Sequence, residues 1–235
     1  MKTVILAGGK GTRLGPAGDD APKPLLRVGP QPILWHIMKI FDAYGHRDFV
    51  ICVGHRSDSF RHFFADTHDP RWSVALADTG EETPTGGRIK QVEGLVGPGD
   101  FFATYGDGVA DIDLDALLKF HEGHGRIATV TTVRPLGNFG IAHVADDKRI
   151  VGFEEKPVMR DWVNGGFFVF KPGIFDYLDA DSVLERDPFE RLVEDEEIMA
   201  FQHEGFWSCM DTYKDNLLLN ERWEAGDAPW KIWDR

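Results

Sequence analysis

The chain predicts an α/β fold with a mixed, mostly parallel sheet. Through the first half, short apolar runs alternate with stretches whose apolar residues recur at helical spacing, the strand–helix–strand order of parallel sheets. In the second half the extended runs crowd together, which implies antiparallel additions that complete the sheet. A length of 235 residues fits one large domain spanning 1–235.

Taken in order, Thr3-Val4-Ile5-Leu6-Ala7 is the first strand, closed by Gly8 and Gly9. Over 32–44, Ile33, Ile37, Ile40, Phe41 and Tyr44 share one face of a helix. Strands are expected at 48–53, 72–77 and 100–105, with shorter helices at 57–65 and 88–95. Asp111-Ile112-Asp113 caps a further helix that runs through His121. Extended runs follow at 127–133, 140–144, 149–155 and 163–170. Helices at 172–178, 188–196 and 213–224 then lead to an aromatic tail with Trp230 and Trp233. In open α/β sheets ligands sit beyond the carboxyl ends of the strands. The glycine loop after the first strand and Asp107 after the run ending at Tyr105 therefore share one edge.

A net charge of -13 argues against nucleic acid as a partner, because phosphate backbones are bound by basic surfaces. No apolar stretch approaches the roughly 20 residues of a membrane span. Met1-Lys2-Thr3 runs directly into the strand, with no signal-peptide region. Cys52 and Cys209 are the only cysteines, and two so far apart make no disulfide framework, which predicts a reducing, cytoplasmic setting. Cys52, inside an apolar run, reads as a core residue.

Against this acidic background the stretch Gly8-Gly9-Lys10-Gly11-Thr12-Arg13-Leu14 stands out. Its glycines let successive backbone N–H groups face a phosphate, Thr12 adds a hydroxyl, and Lys10, Arg13 and the later Lys23 add charge. The dinucleotide fingerprint fails by one residue, since Leu14 stands where its last glycine belongs. No Gly-Lys-Ser/Thr follows a suitable spacer, so the Walker pattern is absent too. What remains is a cradle for a small polyanion, with a purely structural glycine turn as the alternative.

Leu6-Ala7-Gly8-Gly9-x-Gly11-Thr12-Arg13-Leu14 followed by Pro22-Lys23-Pro24 resembles the signature of the nucleotide-sugar pyrophosphorylases, or sugar-1-phosphate nucleotidylyltransferases. Further stretches run the length of the chain: Pro32 to Lys39, Asp78-Thr79-Gly80, Thr85-Gly86-Gly87-Arg88, Thr104 to Asp111, Asn164 to Phe168 and Met210-Asp211-Thr212. Together they are similar to the glucose-1-phosphate cytidylyltransferases. The resemblance implies a Rossmann-like fold of the nucleotide-diphospho-sugar transferase type. It also implies that a nucleotidyl group is transferred from a nucleoside triphosphate, CTP, to a sugar-1-phosphate, glucose 1-phosphate, giving CDP-glucose and pyrophosphate, with Mg²⁺ as cofactor. Residues 1–110 would form mainly the nucleotide half and 111–235 mainly the sugar-phosphate half.

Carried over position by position, the resemblance makes Arg13, Lys23 and Asp107 catalytic and Asp107 and Asp211 the metal ligands. It gives nucleotide contacts to Leu6, Ala7, Gly8, Gly9, Gly11, Thr12, Arg13, Lys23, Thr85, Gly86, Arg88 and Asp107. The acceptor falls to Gly140, Glu155, Lys156 and Asn164, with Phe139-Gly140 contributing backbone. The chemistry suits the residue types. Two anions must meet, so fixed cations and a divalent ion held by carboxylates lower the barrier. Arginine offers bidentate phosphate contact and lysine a point charge. Bland readings stand beside these. Asp211 would serve equally as an N-cap for the helix from Tyr213, Glu155-Lys156 as an exposed charge pair, and Arg88 as a solvent-facing helix arginine rather than a contact to a pyrimidine carbonyl or phosphate. His62, His68, His121 and His124 read as structural, since the attacking phosphate is already anionic.

The chain departs from the pattern in three places. The segment between Phe64 and Asp78 is short where family members carry an insertion with subunit contacts, which leaves homo-oligomer formation open. Ala21 replaces a lysine ahead of Pro-Lys-Pro, and 134–138 differs from the usual glucose-enzyme stretch. Another nucleotide (UTP, GTP or dTTP), or another sugar or cyclitol phosphate, thus remains an alternative. A silent nucleotide-sugar-binding regulator is disfavoured by the presence of Arg13, Lys23, Asp107 and Asp211 together.

Overall fold

The computed structural model describes residues 1–9, 21–66, 69–137 and 139–234. The expectations for Lys10, Gly11, Thr12, Arg13, Leu14 and His68 lie outside the described residues. In chain order, β1 (Lys2–Leu6) is followed by a 3-10 turn at Lys23–Leu25, the short pair β2 (Arg27–Val28) and β3 (Gln31–Pro32), and helix α1 (Ile33–Ala43). Next come β4 (Asp48–Val53), α2 (Ser57–Asp66), β5 (Ser73–Asp78), α3 (Thr85–Gln91), α4 (Glu93–Val96), β6 (Phe101–Tyr105), β7 (Gly108–Ala110) and α5 (Leu114–His124). The second half holds β8 (Ala128–Val133), β9 (Ile141–Val144), β10 (Ile150–Glu154), β11 (Val163–Phe170), a 3-10 turn at Pro172–Tyr177, α6 (Asp187–Glu194), β12 (Ile198–Gln202), β13 (Trp207–Cys209) and α7 (Tyr213–Glu224).

Seven of these strands form the central sheet in the order β12-β8-β11-β6-β1-β4-β5. All pairings are parallel except those of β11, which runs against β6 on one side and β8 on the other. Both faces are covered, so the strands carry unbroken apolar runs. Val4, Val50, Cys52, Phe101, Ala103 and Phe168 point into one core, Ile5, Phe49, Ile51, Phe102, Phe167 and Val169 into the other. From β1 the chain moves outward to β4 and β5, then returns to place β6 on β1's other flank. That reversal opens a crevice at the carboxyl ends of β1 and β6, where such sheets bind ligands. No helix among the described residues is long and apolar enough to cross a membrane.

Two expectations need correction. The runs at 140–144 and 149–155 do not extend the sheet; as β9 and β10 they pair antiparallel with each other in a separate ribbon. Its side chains Ile141, Val144, Ile150, Val151 and Phe153 are exposed. The sheet instead ends in β12, parallel to β8, a strand the sequence reading missed. Met199 and Ala200 carry little strand propensity, and pairing with β8 overrides it. The helix expected at 88–95 starts earlier, at Thr85, and is broken at Val92 into α3 and α4.

His36 shows how the aromatic tail seals the fold. It is fully buried on α1, with Nε2 donating to the Val28 carbonyl at 2.8 Å. Nδ1 is therefore the acceptor for Trp230 Nε1 at 3.4 Å. Burial pushes the His36 pKa down to about 4 from 6.5. As pH falls, the unfolded chain takes this proton first. Stability present above pH 6.5 is then lost progressively down to about pH 4, by up to about 3 kcal/mol. Urea unfolding of the wild type and His36→Phe at pH 7 and 4.5 checks this. The variant should lose much less between the two pH values, and an equal loss would refute the assignment.

Candidate active site

The site is built at the ends of β1 and β6. Ala7 N–H donates to the Cys52 carbonyl, and Gly106 N–H to the Leu6 carbonyl, so both strand ends are locked before the chain turns away. The turn Gly106-Asp107 then leads from β6 into β7. β7 pairs antiparallel with β13, Cys209 opposite Gly108 and Trp207 opposite Ala110, and Met210 N–H donates to the Asp107 carbonyl at 2.9 Å. This three-residue ladder, invisible to periodicity, carries Asp211 to the side of Asp107. Asp211 is not the helix cap of the bland reading. Thr212 is the N-cap of α7, in a reciprocal capping box with Asp215.

Lys23 completes the cluster. Pro22 and Pro24 flank it, and Pro24 is buried against Gly106, which restricts where the lysine backbone can go. Its Nζ lies 2.6 Å from Asp107 Oδ2 and 2.6 Å from Asp211 Oδ1. Burial alone would lower the lysine pKa. The Asp107 charge and the two carboxylate hydrogen bonds overcome it and raise the value, so the ammonium stays charged. Asp107, Cys209 and Asp211 offer ligand atoms within 4.8 Å of one another. The Cys209 thiol is pushed up by burial and by both carboxylates, and its sulfur is a soft donor that a hard divalent cation passes over. The donors that remain are carboxylate oxygens, the set a hard divalent cation takes. Asp107, Cys209 and Asp211 line a cavity of about 280 Å³ with Tyr105, Asn164, Gly165, Gly166 and Trp207.

The expected acceptor residues divide. Asn164 is in the cavity wall, its Oδ1 accepting from Gly166 N–H and its Nδ2 donating to the Tyr105 hydroxyl. Gly140, Glu155 and Lys156 lie outside that wall, exposed together at the open end of the β9–β10 ribbon. A Cβ on Gly140 would come 2.9 Å from Glu155 Oε2. Lys156 adopts φ 45°, so a left-handed turn redirects the chain before Pro157.

The Thr85-Gly86-Gly87-Arg88 stretch corrects the solvent-facing reading of Arg88, whose side chain turns inward. It is buried, with Nη1 donating to Thr79 Oγ1 (2.6 Å) and the Val53 carbonyl (3.3 Å), and Nη2 to the Gly8 and Glu81 carbonyls (3.1 Å each). Gly8 is glycine for this reason, since a Cβ there would lie 2.0 Å from Nη1. Gly86 and Gly87 let α3 pack on the 180–182 backbone, where a Cβ on Gly87 would meet the Ala180 carbonyl oxygen at 2.1 Å. The Thr85 hydroxyl donates to Glu185 Oε2 and accepts from Leu184 N–H. None of these four presents a side chain to the cavity described above. Cys52 is core as expected, its thiol pushed up to about 12 by burial.

A crevice at a strand-order reversal, with a charged lysine and two carboxylates converging in it, defines an α/β protein that handles phosphate groups. The chain belongs to the nucleotidyl transferase family, whose model matches residues 2–220. It is 42% identical to a glucose-1-phosphate cytidylyltransferase of Salmonella typhimurium, with 100% of both chains covered. It is 31% identical to a mannose-1-phosphate guanyltransferase of Gibberella zeae, over 92% of this chain and 62% of that one. Among solved structures, a UDP-glucose pyrophosphorylase complexed with UDP-glucose superposes with a TM-score of 0.74 at 17% identity, covering 96% of this chain and 98% of that one. This likeness shows the shared fold.

Proposed function

We propose that the chain transfers a cytidylyl group from CTP to glucose 1-phosphate, giving CDP-glucose and pyrophosphate. The observation that carries the reaction class is the meeting of Lys23, Asp107 and Asp211, drawn from three distant parts of the sequence to one point. Full-length similarity to a glucose-1-phosphate cytidylyltransferase supports the choice of substrates. The whole chain, 1–235, acts as one domain, with the nucleotide half in 1–110 and the acceptor half in 111–235. A reducing cytoplasm suits the two separate thiols.

In this reaction an acceptor phosphate oxygen attacks the α-phosphorus of CTP. A new P–O bond forms as the bond to the bridging oxygen breaks, and pyrophosphate leaves with that electron pair. Asp107 and Asp211 would hold Mg²⁺, which supplies charge neutralisation where the phosphates crowd. Lys23 is the fixed cation on the same phosphates, held ready by its flanking prolines. Gly8 and Gly9 offer backbone donors, with Arg13, Thr12 and Gly11 next in sequence extending the cradle. Arg88 keeps the loop's first turn in place from behind. Asn164 contacts the sugar from the cavity wall, and Gly140, Glu155 and Lys156 contribute from the ribbon end. No protein base is required, since the nucleophile is already an anion.

Pyrophosphate release tests the reading, with four nucleoside triphosphates against a panel of sugar-1-phosphates in the presence of Mg²⁺. The expected result is strongest release with CTP and glucose 1-phosphate. Release with UTP or GTP but not CTP would overturn the cytidine assignment, and no release with any pair would overturn the enzyme.

A further inference from the structure

Behind the cavity wall runs a hydrogen-bond relay whose direction is set from both ends. Gly166 N–H can only donate, and it donates to Asn164 Oδ1 at 2.8 Å. The other end of that amide must then be the donor, and its Nδ2 reaches the Tyr105 hydroxyl at 3.1 Å. The phenol oxygen accepts there, so its own proton goes elsewhere, to Glu185 Oε1. Glu185 Oε2 accepts from Thr85 Oγ1 at 2.8 Å, and that oxygen accepts from Leu184 N–H at 2.9 Å, a second fixed backbone donor. The relay joins the first residue of α3 to the start of β11 behind that wall.

We infer that Glu185 is a positioning residue for acceptor binding: through Tyr105 it secures the donor end of the Asn164 amide, whose oxygen end Gly166 N–H fixes. The inference rests on the nucleotidyl-transfer reading above. The Tyr105 ring needs no help from Glu185, because packing already holds it. It lies over Gly166, where a Cβ would come 2.5 Å from Cδ2, and meets Phe168 edge-on at 5.5 Å. Gly166 takes φ 77°, which suits glycine. Only the hydroxyl's direction is left to set, and Glu185 sets it. With the carboxylate present, Asn164 holds one N–H in reserve, a donor suited to a sugar or phosphate oxygen. Without it, the phenol proton has no fixed acceptor, the phenol oxygen no longer steadies Asn164 Nδ2, and the amide is tethered at its Gly166 end alone.

The test compares the wild type with Glu185→Ala, Glu185→Gln, Tyr105→Phe and the Glu185→Ala/Tyr105→Phe pair. Steady-state pyrophosphate release gives KM for each substrate, and calorimetry gives the affinity for CDP-glucose. Each alanine or phenylalanine change should raise the acceptor KM and weaken CDP-glucose binding about tenfold, the effect of one lost oriented hydrogen bond. The kcat and the nucleotide KM should stay within about twofold. The pair should be no worse than either single change, since both break the same relay. Glu185→Gln keeps an acceptor for the phenol proton and should recover most of the loss. An unchanged acceptor KM in Glu185→Ala, additive losses in the pair, or a matching rise in nucleotide KM would each overturn the inference while an active wild type leaves the enzyme reading intact. A wild type that neither releases pyrophosphate nor binds CDP-glucose would overturn both.

Discussion

Asp107→Ala is expected to lower turnover on the order of 10³-fold while the chain stays folded. Asp107 sits in the tight turn after β6 and touches Lys23 at 2.6 Å, with its carboxylate partly exposed to the cavity. Its main-chain carbonyl, not its side chain, anchors β13 through Met210 N–H, so the ladder that positions Asp211 survives the substitution. The loss should therefore fall on chemistry rather than on assembly of the site. Pyrophosphate release and urea unfolding, measured side by side, separate the two. Turnover within tenfold of the wild type would remove Asp107 from the reaction centre, and a collapse of stability would show the turn to be structural.

Arg88→Ala should have the largest effect on stability, a loss of about 3 kcal/mol, because buried carbonyls at Gly8 and Val53 lose a charged donor and a guanidinium-sized void opens. Arg88→Lys should recover less than half of that loss. One ammonium cannot reach acceptors spread around the fork of a planar guanidinium. Burial lowers the arginine pKa, but carbonyl and hydroxyl partners surround the charge on several sides. Denaturant midpoints decide the matter, and a loss under 1 kcal/mol for Arg88→Ala would mean that water replaces the side chain without cost.

The features legible in the sequence are those governed by short-range pattern. β4 and β11 have the boundaries expected for them, since each carries a continuous apolar stretch, Phe49 to Val53 and Phe167 to Phe170, of the kind a sheet covered on both faces requires. The helix at Tyr213–Glu224 likewise starts where Thr212 and Asp215 can cap each other. Site features that arise from contacts distant in sequence were not legible. Trp207-Ser208-Cys209 is too short to show any period, yet it delivers Asp211. Glu185 meets Thr85 and Tyr105, 100 and 80 residues earlier, and nothing local distinguishes it from the other acidic residues around it. Arg88 was visible as part of a motif, but its burial was not. Gly8, which makes room for the guanidinium, lies 80 residues away, so no local signal marked the burial.

That buried guanidinium has a consequence for the loop in front of it. A trans peptide carries its carbonyl and its N–H on opposite sides. The Gly8 carbonyl is turned inward onto Nη2, so the N–H of Gly9, in the same peptide plane, is turned outward, and Gly9 is exposed. An interior cation that touches no cavity group thus works like a compass needle on the main chain. It orients the first peptide of the loop with its positive end outward before any anion arrives, and a change at position 88 would be felt as a change in that polarity as well as in packing.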